Sequence, residues 1–114
     1  MLGEKGKKMA FTDVEVKEAH EAVTACAKSE DLFRLGLMYS TELEDRVADF
    51  VEAHKWFNLA ALLGSKPAKA YRDEIAFEMS NEDVSVALKA ARGWLKENKA
   101  SIDCLLYTSP SPRD

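Results

Sequence analysis

The chain has 114 residues, of which 46% are hydrophobic, and its 16 basic and 20 acidic side chains give a formal net charge of -4. A mildly acidic chain without a basic stripe predicts no binding to nucleic acid, because phosphate recognition needs clustered lysine and arginine. The longest apolar run, LAALLG after Asn58, is far shorter than the about 20 residues that a spanning helix needs. We therefore expect no insertion into a membrane.

Both ends of the chain differ from its body. The terminal string CLLYTSPSPRD, residues 104–114, holds two of the three prolines. It resembles the in-frame translation of an adapter from transposase-based sequencing libraries, so we interpret it as an assembly artefact. A natural disordered tail is the alternative, because short Pro/Ser-rich tails are common. We predict that residues 99–114 form a disordered tail and residues 1–11 a disordered N-terminal segment.

The two cysteines are predicted to be unpaired. Cys104 belongs to the terminal string and leaves Cys26 alone in the body, so no disulfide is expected within the chain. The first ten residues, MLGEKGKKMA, lack the apolar segment of a secretory signal. A cytoplasmic location is therefore the expectation.

Helical periodicity dominates the body of the chain and predicts five helices. The first runs from Thr12 to Lys28 and begins with the capping box TDVE, in which Thr12 and Glu15 satisfy each other's backbone amides. The second follows Ser29, and apolar residues on nearly all its sides indicate that neighbours cover it twice. The residues at helical spacing in these two helices are Val16, Ala19, Ala22, Val23, Cys26, Leu32, Leu35, Gly36 and Tyr39.

Three more helices follow the polar loop STELEDRVA. Asp49 is a preferred N-cap for the third helix, and Gly64 lies where a left-handed C-terminal residue is needed. Ser65 and Pro67 open the fourth helix, since proline is tolerated in a first turn. Ser80 caps the fifth. With no convincing strand, the predicted class is all-α, and the short links favour antiparallel neighbours.

A set of residues in the second and third helices has the spacing of a known repeat. These residues are Leu35, Gly36, Tyr39, Ala53, Trp56, Phe57, Ala60, Ala61, Gly64 and Ala68. Their pattern resembles the Sel-one-like repeat, a relative of the tetratricopeptide repeats. The match covers residues 31–68, and residues 69–98 resemble the closing helices that follow the last repeat in bacterial members.

The resemblance implies a solenoid of antiparallel helical hairpins over residues 12–98, with protein binding as its role. The chain departs from the family pattern at Asp31, where the repeat has a small alanine. It also has glutamates where the family places glycines after Tyr39. The geometry of that loop is therefore expected to differ from that of the family.

Small residues near the aromatic pair indicate close helix packing. Ala60 and Ala61 lie one helical turn after Trp56 and Phe57, so a neighbouring helix can approach while the rings bury large apolar area. Gly36 is predicted to do the same on the second helix. Replacing Gly36 by leucine is expected to destabilise the fold by about 2 kcal/mol or more through overpacking.

The residue pattern predicts no enzyme, cofactor or metal site. His20 and His54 are the only histidines. Cys26 lies six positions after His20, which separates the two side chains by about 240° around a helix and argues against a nucleophile pair. We expect both histidines to be packed or solvent-facing. Two distant histidines with scattered carboxylates do not form a zinc-ligand pattern either.

Two classes of function fit the sequence. The first is a protein-binding adaptor whose partner surface is the outer side of the second helix, formed by Arg34, Leu37, Met38 and Thr41. The competing interpretation of that side is that Leu37 and Met38 pack on the first helix. The second class is an accessory or terminal segment of a larger repeat-containing enzyme or regulatory protein. Weak self-association is also expected, because solenoids usually need about three repeats or more.

Overall fold

The protein, seen here as a computed structural model, is described over residues 12–42 and 47–108, apart from the side chains of residues 13 and 105–108. These residues form α-helices and no β-strand, which confirms the all-α class. The helices are α1 (Asp13–Ala25), α2 (Ser29–Ser40), α3 (Phe50–Leu62), α4 (Lys66–Ala76), α5 (Asn81–Glu97) and α6 (Lys99–Thr108). The predicted disordered segment at residues 1–11 lies outside the described residues.

Side-chain caps set the starts of four helices, as the sequence predicts. In the capping box of α1, the Glu15 amide donates to Thr12 Oγ1 over 3.1 Å and the Thr12 amide donates to Glu15 Oε1 over 2.9 Å. The side chains of Asp49, Ser65 and Ser80 accept from backbone amides in the first turns of α3, α4 and α5. These contacts are local, which explains why the sequence alone predicts them.

Backbone angles mark where α3 and α1 end. Gly64 has a φ of 114° after the last turn of α3, the left-handed conformation predicted for it. The first helix is shorter than predicted and ends at Ala25 instead of Lys28. It ends there because Cys26 has extended backbone angles, with φ -157° and ψ 117°.

α3 is the central helix and packs against α2, α4 and α5. It runs antiparallel to α2, because the Asp49 amide at its start donates to the Tyr39 carbonyl near the end of α2 over 2.7 Å. It also packs against α4, which it contacts through Phe57 and Tyr71 and through Asn58 and Arg72. The direction of α3 relative to α2 agrees with the expectation from the short links.

The buried core follows the predicted apolar faces. It is continuous from α1 to α5, and the largest fully buried side chains come from α1, α2 and α3. These are Val23, Leu32, Leu35, Met38, Trp56, Phe57 and Leu59. The α3 helix supplies three of them, so its burial organises the rest of the array.

A sixth helix lies where the sequence predicted a disordered tail. α6 packs against α1 and α5. Ser101 is buried, its hydroxyl donates to the Thr24 carbonyl, and its own carbonyl accepts from the Ala27 amide over 3.1 Å. These contacts join residues about two-thirds of the chain apart and leave no local sequence signal. Residues 109–114 lie outside the described part, and the adapter origin of residues 104–114 stays a prediction.

The expectation of unpaired cysteines is wrong for this structure. Cys26, just after α1, and Cys104, in α6, form a disulfide across a sequence separation of 78 residues. The pairing follows from the packing of α6 on the end of α1. Spacing along the chain does not reveal that packing, and the terminal position of Cys104 concealed it.

Candidate functional site

The predicted repeat-motif residues meet mainly at the interface of α2 and α3. Seven of them are buried, Tyr39 and Ala61 are half-buried, and Gly64 is exposed in its turn. The buried ones are Leu35, Gly36, Ala53, Trp56, Phe57, Ala60 and Ala68. At Gly36, a Cβ atom would lie 2.8 Å from Cγ of Phe57, so the absence of a side chain is what lets the aromatic ring lie there. These residues form packing contacts and no chemical site.

One aromatic cluster joins α1, α2, α3 and α5. His20 of α1 contacts Tyr39 and Trp56 edge to face, with ring centroids 5.8 and 5.4 Å apart. Trp56 in turn contacts Trp94 of α5 at 5.6 Å. His20 Nε2 is 2.8 Å from the Tyr39 hydroxyl, so this histidine is packed and hydrogen-bonded, as expected. Its role is to join α1, α2 and α3.

A second aromatic cluster joins the other side of α3 to its neighbours. Phe33 of α2, Phe57 of α3 and Tyr71 of α4 lie with their ring centroids 5.3 to 5.7 Å apart. Edge-to-face contacts of this kind add about 0.5–1.5 kcal/mol beyond the burial of area. The two clusters together fix α3 between four helices.

The protein-binding surface predicted on α2 is only partly exposed. Met38 is 2% exposed and belongs to the buried core, and Leu37 is half-buried against that core. Arg34 and Thr41 are exposed, and the Thr41 hydroxyl donates to the Leu37 carbonyl over 2.8 Å. Met38 is therefore buried and does not belong to the predicted surface. The reason is that α2 packs against both α1 and α3, which leaves it little outer face.

A groove opens instead where α2 ends and where α3 and α5 begin. It has a volume of about 530 Å³, within the roughly 300–1,000 Å³ range of binding clefts. We call it the end groove; its lining residues are Tyr39, Val47, Ala48, Asp49, Phe50, Val51 and Asp83. The side chain of Val47 is 74% exposed there. The lining is mostly apolar, with two carboxylates.

The two carboxylates of the end groove also serve the helices that carry them. Asp49 caps α3, since its Oδ1 accepts from the Glu52 amide over 3.1 Å. Asp83 lies in the first turn of α5, where its amide donates to Ser80 Oγ over 3.0 Å. Negative charge at a helix N-terminus is favourable. Both aspartates are exposed and remain available to a ligand.

His54 is packed, as expected, but in an unusual setting. It is 3% exposed, and its Nδ1 has no hydrogen-bond partner. Burial lowers the pKa of His54 below its ordinary value of 6.5, and the Arg72 guanidinium lowers it further. Arg72 itself donates to Asn58 Oδ1 over 2.9 Å and pairs with Asp73. A histidine so enclosed has no access to a substrate.

The sequence did not reveal the end groove. Its lining comes from positions 39 and 47–51, which are close along the chain, and from position 83, which is far from both. The apolar residues Val47, Phe50 and Val51, which flank the N-cap Asp49, could have indicated the groove. However, apolar residues at these positions are also typical of a helix whose first turn is buried in the core.

None of the helices within 12–42 and 47–108 is long and apolar enough to cross a bilayer. In that part of the chain no three His, Cys, Asp or Glu side chains are placed to hold a metal ion. Comparisons with protein-family models, with curated proteins and with solved structures found no match.

Proposed function

We propose that this chain is a protein-binding module of Sel-one-like repeat type, and that its end groove takes a short segment of a partner protein. The observation that carries the proposal is the groove itself. It is an open, largely apolar surface at the ends of three helices, of which α3 packs against both α2 and α5. Apolar surface of this kind, rimmed by polar residues, is typical of interaction sites.

The packing of the array supports the repeat interpretation. α2 and α3 pack as an antiparallel pair with glycine against phenylalanine, at the positions where the repeat pattern places them. α3 and α5 run in the same direction, since Trp56 contacts Trp94 while the starts of both helices line the end groove. Such alternation of direction is how stacked hairpins present one set of helix ends together.

Peptide selection tests the proposal directly. A random dodecapeptide library displayed on phage is selected against the full chain, and the enriched peptides are synthesised for fluorescence anisotropy. Replacing Val47 by glutamine should weaken their binding by about tenfold, because a buried valine contributes about 1.5 kcal/mol. Val47 lies outside the helices and is mostly exposed, so the variant should fold normally.

The matched control is Leu62→Gln at the other end of α3. Leu62 is 60% exposed, so the same apolar-to-polar change is made on a comparable residue away from the groove. Its binding should equal that of the wild type. If no peptide is enriched, or if both variants bind as the wild type does, the end groove is not a peptide site.

A further inference from the structure

A further exposed apolar residue lies in the link between α4 and α5, which leads to the end groove. Phe77, the first residue after α4, is 91% exposed, which is the largest exposed fraction of any large apolar side chain that the structure describes. Its link leads within a few residues to Asp83, which lines the groove. Phe77 therefore lies at the same end of the molecule as Val47 and Phe50.

Acidic residues lie on both sides of Phe77 along the chain. The chain from Asp73 to Asp83 holds five carboxylates and no lysine or arginine. Arg72 pairs with Asp73 over 3.0 Å. The other four are exposed, and the groove adds the exposed Asp49. The four are Glu74, Glu78, Glu82 and Asp83.

Helix stability explains only part of this charge. Glu82 and Asp83 lie in the first turn of α5, where a carboxylate favours the helix macrodipole. Glu74 lies in the last turn of α4 and Glu78 just beyond it, where negative charge opposes the macrodipole. The helix macrodipole thus does not account for the negative charge beside Phe77, and this charge would complement a partner of opposite charge.

We infer that the end groove and Phe77 bind a segment of a partner protein that carries lysine or arginine next to an apolar anchor residue. The inference rests on the proposed function and adds the chemistry of the partner. The anchor enters the apolar groove beside Val47. The cationic side chains contact the carboxylates and the face of Phe77. The quadrupole of an aromatic ring attracts a cation to that face.

The test uses the peptides selected by the full chain and a double charge reversal, Glu78→Lys with Glu82→Lys. The enriched peptides should be rich in lysine and arginine. The reversal should weaken their binding by about tenfold or more, because like charges then face each other. Phe77→Ala should weaken binding as well, and it should fold normally because Phe77 is almost fully exposed.

A control reversal separates local from net charge. Glu30→Lys with Glu97→Lys makes the same change in net charge on exposed residues at the start of α2 and the end of α5, the helix ends opposite the groove. It should leave binding within about twofold of the wild type at physiological salt, where distant surface charges are screened. Equal weakening by both reversals would overturn the inference.

The remaining outcomes are also decisive. Peptides without basic residues, bound equally well by the Glu78/Glu82 variant, would overturn the inference and leave the proposed function standing. Failure to enrich any peptide would overturn both. A concentration-dependent mass in light scattering that the Phe77→Ala change abolishes would show that a second copy of the chain occupies this surface, which also overturns the inference.

Discussion

Gly36 lies against the ring of Phe57 with no space for a side chain. Replacing it by alanine should lower the free energy of unfolding by about 1–3 kcal/mol, because overpacking forces the ring or the helix to move. The loss should occur although alanine is the better helix former by about 1 kcal/mol. Urea denaturation followed by circular dichroism measures it.

Gly93 provides the control for that substitution. It lies within α5, and a Cβ atom placed there would meet nothing within 4 Å. Gly93→Ala should therefore raise the free energy of unfolding by about 0.5–1 kcal/mol. If Gly36→Ala stabilised the protein to the same degree, the close approach of Phe57 would be refuted. The sequence predicted the packing role of Gly36 because its spacing fits the repeat pattern.

His54 should make the protein less stable in mild acid. Its pKa is lowered in the folded state by burial and by Arg72, so above pH 6.5 both the folded and unfolded states are neutral and stability is unaffected. As the pH falls below 6.5, the unfolded chain binds a proton that the folded chain resists, and stability falls. The free energy of unfolding should be measured by urea titration between pH 7.5 and about pH 5.

The comparison is with His54→Leu, which fills the buried position with an apolar group that does not titrate. The difference in stability between wild type and variant should shift in favour of the variant as the pH falls. A difference that stays constant with pH would mean that His54 takes up its proton equally in both states. The sequence predicted only that this histidine is packed or solvent-facing, because its unpaired Nδ1 depends on its tertiary neighbours.

At the scale of the helix, Ser80 supports the start of α5. Its Oγ accepts from the Asp83 amide over 3.0 Å, which satisfies one of the unpaired donors of the first turn. Ser80→Ala should cost about 1 kcal/mol in unfolding free energy, while Ser80→Asp should retain most of the stability. Equal losses in thermal and urea denaturation of the two variants would show that the cap contributes little.

Some helices depend on contacts between neighbouring residues, and others depend on contacts with distant parts of the chain. Caps at Thr12, Asp49, Ser65 and Ser80 were predictable because each is a contact within a few residues. α6 was not, because its contacts join it to the end of α1 across most of the chain. Its sequence also continues into a Pro/Ser-rich string, which favours a prediction of disorder.

At the scale of the whole molecule, burial was easier to predict than exposure. Most residues of α2 and α3 that the helical spacing assigned to the core are buried, and Tyr39 is half-buried. For Met38 the sequence left both a surface and a packed position open, because periodicity alone does not say how many neighbours a helix has. The end groove depends on how three helix ends come together, and that arrangement is a property of the tertiary structure alone.

α6 has a consequence for how the array unfolds. In an open stack each hairpin touches only its neighbours, so unfolding can start at one end and proceed like an opening zipper. Here α6 contacts both the first and the fifth helix. Separating α1 from α5 would therefore also break contacts of α6. We expect α6 to link the first and fifth helices so that the helices unfold more cooperatively, and extend less readily under force, than those of an open stack.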